Sequence, residues 1–183
     1  MATDELLLEA AVKLVNAANK ELDAALPGKI AGIVKTHAAL AVGSSFIPIP
    51  GADVAAGAAA IWGMYFRINS ELKMPFQDNV IKSVASGVGT NLAAFVGILA
   101  VGSALKFIPG LGTFAAIALV AAASYALTLA SGYVYLKVLT MLLGQKSAES
   151  ISESDWKRAV DDVMSDKQVI QSFVDEAKKS YKK

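Results

Sequence analysis

SVASGVGTNLAAFVGILAVGSALKFIPGLGTFAAIALVAAASYALTLASGYVYL, residues Ser83 to Leu136, is almost unbroken apolar chain. No charge falls within 83–105 or 107–136; Lys106 alone separates the two runs. At about 1.5 Å rise per helical residue the first run reaches roughly 34 Å, enough for a hydrocarbon core of about 30 Å. Proline inside a helix loses a hydrogen bond and clashes with the preceding turn, so Ile108-Pro109-Gly110 predicts a bend between two helices. Gly112 follows closely and belongs to the same corner. The stretch reads as a helical hairpin that is apolar on nearly every side.

The rest of the chain repeats this design. Ala41-Val42-Gly43-Ser44 recurs as Ala100-Val101-Gly102-Ser103, and Ile49-Pro50-Gly51 recurs, without a gap, as Ile108-Pro109-Gly110. Two matches at one offset favour duplication of a helix–bend–helix unit. Pro48, Pro50 and Gly51 impose extended backbone between helices expected at about 29–46 and 54–72, and Asp53 is well placed to cap the second. A further helix is expected from Asp78 to Leu105, and another from about Leu111 to Leu143. The predicted fold is all-α, two apolar hairpins packed as a four-helix bundle. An amphipathic helix over 1–28 precedes the hydrophobic domain of 29–144, and a charged, water-facing tail of short amphipathic helices fills 145–183. In that tail Ser152 and Asp155 resemble a capping box, ahead of a buried face of Trp156, Ala159, Val160 and Val163.

Composition limits what such a bundle can do. Hydrophobic residues make up 55% and charged residues 18%, against about 45–50% and about 25% for ordinary soluble domains. A lipid bilayer is therefore an expected partner. A net charge of +1 gives no reason to expect nucleic acid. The absence of cysteine removes disulfide and thiolate chemistry. Acidic Asp4, Glu5 and Glu9 stand where a secretory signal carries positive charge, so no cleaved signal is expected.

Small residues recur four apart, as Gly89, Ala93 and Gly97 on one helix and Ala118, Ala122, Ala126 and Ala130 on the next. Such stripes let backbones approach closely, either between membrane helices and their copies, which makes a homo-oligomer an expectation, or in a tight soluble seam. Trp62 and Tyr65 before Arg67, and Tyr133 and Tyr135 before Lys137, have the pattern of membrane-interface anchors; ordinary core aromatics compete equally. Lys82 and Lys137 would share one side of the membrane and Lys106 the other. With Arg67, Lys73 and the basic tail Lys178, Lys179, Lys182 and Lys183, which would face anionic lipid, positive charge places both termini in the cytoplasm. The localisation expected is the inner or cytoplasmic membrane.

Catalytic patterns are scarce. The single histidine, His37, rules out a histidine-based metal site, and it reads as a packed side chain. Gly87-Val88-Gly89 begins like a dinucleotide fingerprint but lacks the third glycine and the preceding strand. No catalytic, cofactor-binding or metal-binding residues are assigned, and no enzyme is expected.

Ile47-Pro48-Ile49-Pro50-Gly51-Ala52-Asp53 and Leu105-Lys106-Phe107-Ile108-Pro109-Gly110-Leu111-Gly112-Thr113, followed by Ala126-Leu127-Thr128 and Gly132-Tyr133, resemble a known hydrophobic domain of unknown function. That domain is appended to Era-like GTPases and occurs in YcjF-type inner-membrane proteins. The resemblance covers roughly residues 30–143. It implies a helical, membrane-associated module working beside a GTPase; with no GTPase in this chain, the partner would act in trans. Function is then expected in membrane scaffolding, remodelling or permeation. A soluble interaction module with hairpins buried by self-assembly is the competing expectation, and a conditionally inserting, pore-forming-like protein is the third.

Overall fold

The computed structural model describes residues 28–47, 52–74, 113–147 and 150–165, and every regular α or β element among them is an α-helix. They are α1 (Gly28–Ser44), α2 (Ala52–Glu71), α3 (Thr113–Leu143) and α4 (Glu153–Ser165). The bend residues Pro48, Pro50, Gly51, Pro109, Gly110 and Gly112 lie outside the described residues. So do the helices expected at 1–28 and from Asp78 to Leu105, and the basic tail from Lys178 to Lys183.

α1 and α2 lie side by side in opposite directions. Lys29 pairs with Glu71, His37 sits against Gly63 and Ser44 against Gly57, so one number falls as the other rises. A Cβ built on Gly63 would stand 3.5 Å from the imidazole of His37, and one on Gly57 3.5 Å from Ser44 Oγ, which is ordinary contact. α2 begins two residues before the expected Val54. Asp53 therefore lies in its first turn, where a negative charge favours the helix dipole. The helix closes with Met74 N–H donating to the Asn69 carbonyl at 2.9 Å around Lys73, whose φ of 55° gives the left-handed step of a Schellman ending.

α3 runs parallel to α2. Tyr65 bonds Ser131 and Tyr135 bonds Asn69, each pair 66 residues apart in sequence and one helical turn from the other. α3 approaches α1 tightly at Gly132, where a Cβ would meet the two methyls of Val34 at 2.7 and 2.8 Å and Met64 Sδ at 3.0 Å. Only glycine lets the three helices meet there.

α4 follows a short turn. Ser152 and Asp155 form the capping box: Asp155 Oδ2 accepts from Ser152 N–H at 2.9 Å, and Ser152 Oγ accepts from Asp155 N–H at 3.3 Å. Lys146 Nζ donates to the same carboxylate at 2.7 Å, tying the start of α4 to the end of α3. Trp156, Ala159, Val160 and Val163 are buried, as the helical spacing predicts, and with Ile151 they join the cluster built on α3. The apolar face of α4 thus packs on α3, while Glu153, Lys157, Arg158, Asp161 and Asp162 are exposed. Removing the cap, as Ser152→Ala, should cost about 1 kcal/mol; chemical denaturation followed by circular dichroism measures it.

Lys146 and the two Ser152 contacts hold the Asp155 carboxyl well below the usual carboxylate range. A group depressed on folding stabilises fully above its unfolded value, near pH 4, and loses that contribution only as pH falls further toward the folded one. In a Trp62→Phe background, Trp156 emission should therefore hold its wavelength from pH 7 to pH 5. A red shift within that window would contradict the assignment of Asp155 as the clasp of α4.

Candidate functional site

Four polar side chains meet inside the apolar core where α2 packs on α3. The rings of Tyr65 and Tyr135 stack with centroids 4.3 Å apart and planes 26° from parallel. The Tyr65 hydroxyl is hydrogen-bonded to Ser131 Oγ, and the Tyr135 hydroxyl donates to Asn69 Oδ1 at 2.7 Å. All four residues are buried. A polar group sealed from water costs free energy unless it is partnered, so each hydroxyl fixes the position of the neighbouring helix. Interhelical bonds of this kind contribute about 0.6 kcal/mol on average between apolar helices. Their chief effect is to set which turn of α2 faces which turn of α3.

Several other hydroxyls bond within their own helices. Thr36, Thr128 and Thr140 donate to the carbonyls of Gly32, Ser124 and Leu136 at 2.8, 2.8 and 2.9 Å, and Ser44 donates to Ala41 at 2.7 Å. This back-bonding lets hydroxyl-bearing helices sit in apolar surroundings. His37 is similar: its Nδ1 lies 2.9 Å from the Ile33 carbonyl, which can only accept, so Nδ1 carries the proton and donates. The ring is buried between α1 and Gly63, consistent with a packed side chain.

The helix directions sort the charges along the axis. Between Phe114 and the level of Lys35, described α1, α2 and α3 carry one charged residue, the buried Asp53. The α2–α3 register puts this section at roughly 26 Å. Lys35, Arg67 and Lys137 then fall within about two helical turns of one another, Lys29 and Glu71 pair at the level of Lys137, and Lys73 lies just beyond. α4 belongs to that charged end, because it starts beside the end of α3 and is only about 18 Å long. Its Glu153, Lys157, Arg158, Asp161 and Asp162 are exposed.

Ala116–Leu143 of α3 is long and apolar enough to cross a membrane, and 67% of its most apolar window is buried inside the protein. Ala122, Ala126 and Ala130 of the expected stripe are buried and Ala118 partly so; Gly89, Ala93 and Gly97 lie outside the described residues. The aromatics expected as membrane-interface anchors divide. Tyr65 and Tyr135 have no exposed surface and take the competing role of core aromatics, because each hydroxyl finds a partner inside. Trp62 and Tyr133 are half-buried, Arg67 is exposed, and Lys137 Nζ stands 5.7 Å from the centre of the Tyr133 ring. Sequence spacing did not reveal Gly132, Asn69 or Ser131, whose roles come from tertiary contact.

Comparison with protein-family models, with curated proteins and with solved structures finds no match.

Proposed function

We propose that this chain is a non-enzymatic, membrane-associated helical protein of the inner or cytoplasmic membrane, with both termini in the cytoplasm. It self-associates and serves as a scaffold, remodelling or permeation component. The observation that carries this reading is the axial sorting of charge: a section of roughly 26 Å without an exposed charge among the described residues, next to a charged end covered by α4. A lipid core of about 30 Å suits the first and water the second. The back-bonded hydroxyls of Thr36 and Thr128, at or below the level of Lys35, support the same surroundings. The apolar hairpins resemble the domain found with Era-like GTPases, and a GTPase acting in trans is the partner this likeness brings to the proposal.

One observation favours a second reading, a soluble module buried by self-assembly. Most of the apolar stretch of α3 is already covered by the chain's own helices, so a modest interface would hide the rest. Flotation of the detergent-free full chain with liposomes separates the two. Under the first reading the protein rises with the vesicles. A discrete oligomer that stays in the dense fraction, confirmed by sedimentation, establishes the second and removes the first.

A further inference from the structure

We propose that the end of the bundle carrying Phe46 and Phe114 is the leading edge that enters an anionic phospholipid leaflet, with the level of Lys35, Arg67 and Lys137 stopping at the headgroups. This rests on the membrane reading above and adds its direction and its lipid. Phe114 is 72% exposed and Phe46 61%. The register of α2 on α3 sets Phe114 about four residues beyond the start of α2, and the α1–α2 pairing sets Phe46 near that same start. Both phenylalanines therefore project at the end where the described helices carry no exposed charge. Leu40 and Phe66 continue the exposed apolar surface toward the basic level.

Two further observations choose lipid over another protein surface. Exposed apolar side chains stand on each of α1, α2 and α3, as Leu40, Phe66 and Phe114, so all three helices offer surface to lipid. The described charges bounding them are mostly cations, Lys29, Lys35, Arg67 and Lys137 on three helices against Glu71 alone, with Tyr133 beneath Lys137, and cations at that depth suit anionic headgroups. α4, with both signs of charge on its outer face, stays in water at the opposite end.

The chain has no cysteine, so single probes can be placed cleanly. Phe46→Cys, Phe114→Cys and Lys157→Cys, each carrying an NBD fluorophore, are mixed with vesicles of phosphatidylcholine and phosphatidylglycerol. Circular dichroism checks that each variant keeps its helicity. The probes at 46 and 114 should shift to the blue, resist aqueous dithionite and be quenched by acyl-chain nitroxides, while the probe at 157 reacts freely. Arg67→Gln should weaken binding to these vesicles about fivefold and leave binding to pure phosphatidylcholine unchanged. Vesicles that bind while the probes at 46 and 114 stay open to dithionite would overturn the orientation and spare the membrane reading. Probes at 46 and 114 already shielded before lipid is added, in a protein that sediments as a dimer, would make this end a contact between copies and overturn the proposal. No binding to either vesicle would overturn both.

Discussion

Tyr135→Ala should destabilise the bundle by about 3–5 kcal/mol, the range for deleting a large buried aromatic. The loss has two sources that can be separated. Truncation removes the ring stacked on Tyr65 and leaves a cavity between α2 and α3. It also leaves Asn69 Oδ1 without the hydroxyl that donates to it, in a place closed to water. Tyr135→Phe keeps the ring and removes only the donor, so it should cost about 1–3 kcal/mol. Pairing Tyr135→Phe with Asn69→Leu should recover part of that cost, because no acceptor is then stranded. Denaturation of the purified protein, in detergent where needed, gives the four values of the cycle. Equal stability of Tyr135→Phe and the parent would mean that the hydroxyl does not hold the register.

Gly132→Val is expected to cost about 3 kcal/mol, the upper part of the range for overpacking. A bare Cβ would already stand 2.7 and 2.8 Å from two methyls of Val34, closer than carbon atoms normally approach. Val34 is itself fully buried and β-branched, so it has little rotamer freedom to withdraw. Two added methyls must push α1 or α2 away from α3. Alanine at the same site should be milder, since its better helix propensity, about 1 kcal/mol over glycine, offsets part of the clash. Val34→Ala opens the facing space, and the double variant Gly132→Ala, Val34→Ala should lose less than the two single losses added together. Strict additivity would mean that these residues do not touch.

These two sites also mark the limit of what could be read from the residues alone. Apolar runs and caps announce helices locally, and α1, α2 and α3 end within about two residues of where proline, glycine and the charge pattern put them. The Ser152–Asp155 box and the Trp156, Ala159, Val160 and Val163 face are legible for the same reason, since both are written within one turn or one helix. Gly132 lies outside the alanine stripe read from the sequence; its importance comes from Val34 and Met64, which reach it from distant parts of the chain. Tyr65 and Tyr135 carry the pattern of membrane anchors, an aromatic shortly before a cation, and the pattern is silent about which way a ring turns. Their partners Ser131 and Asn69 decide that. Charge sorting was half visible: the empty runs are plain in the sequence, but the alignment of Lys35, Arg67 and Lys137 needs the directions of three helices.

Membrane fractionation followed by carbonate extraction of the full chain tests the central claim most directly. The section of roughly 26 Å without an exposed charge should hold the protein in the pellet at high pH, where peripheral proteins are released, and only detergent should free it. Complete release by carbonate, or a monomer found in the soluble fraction without detergent, would contradict the account.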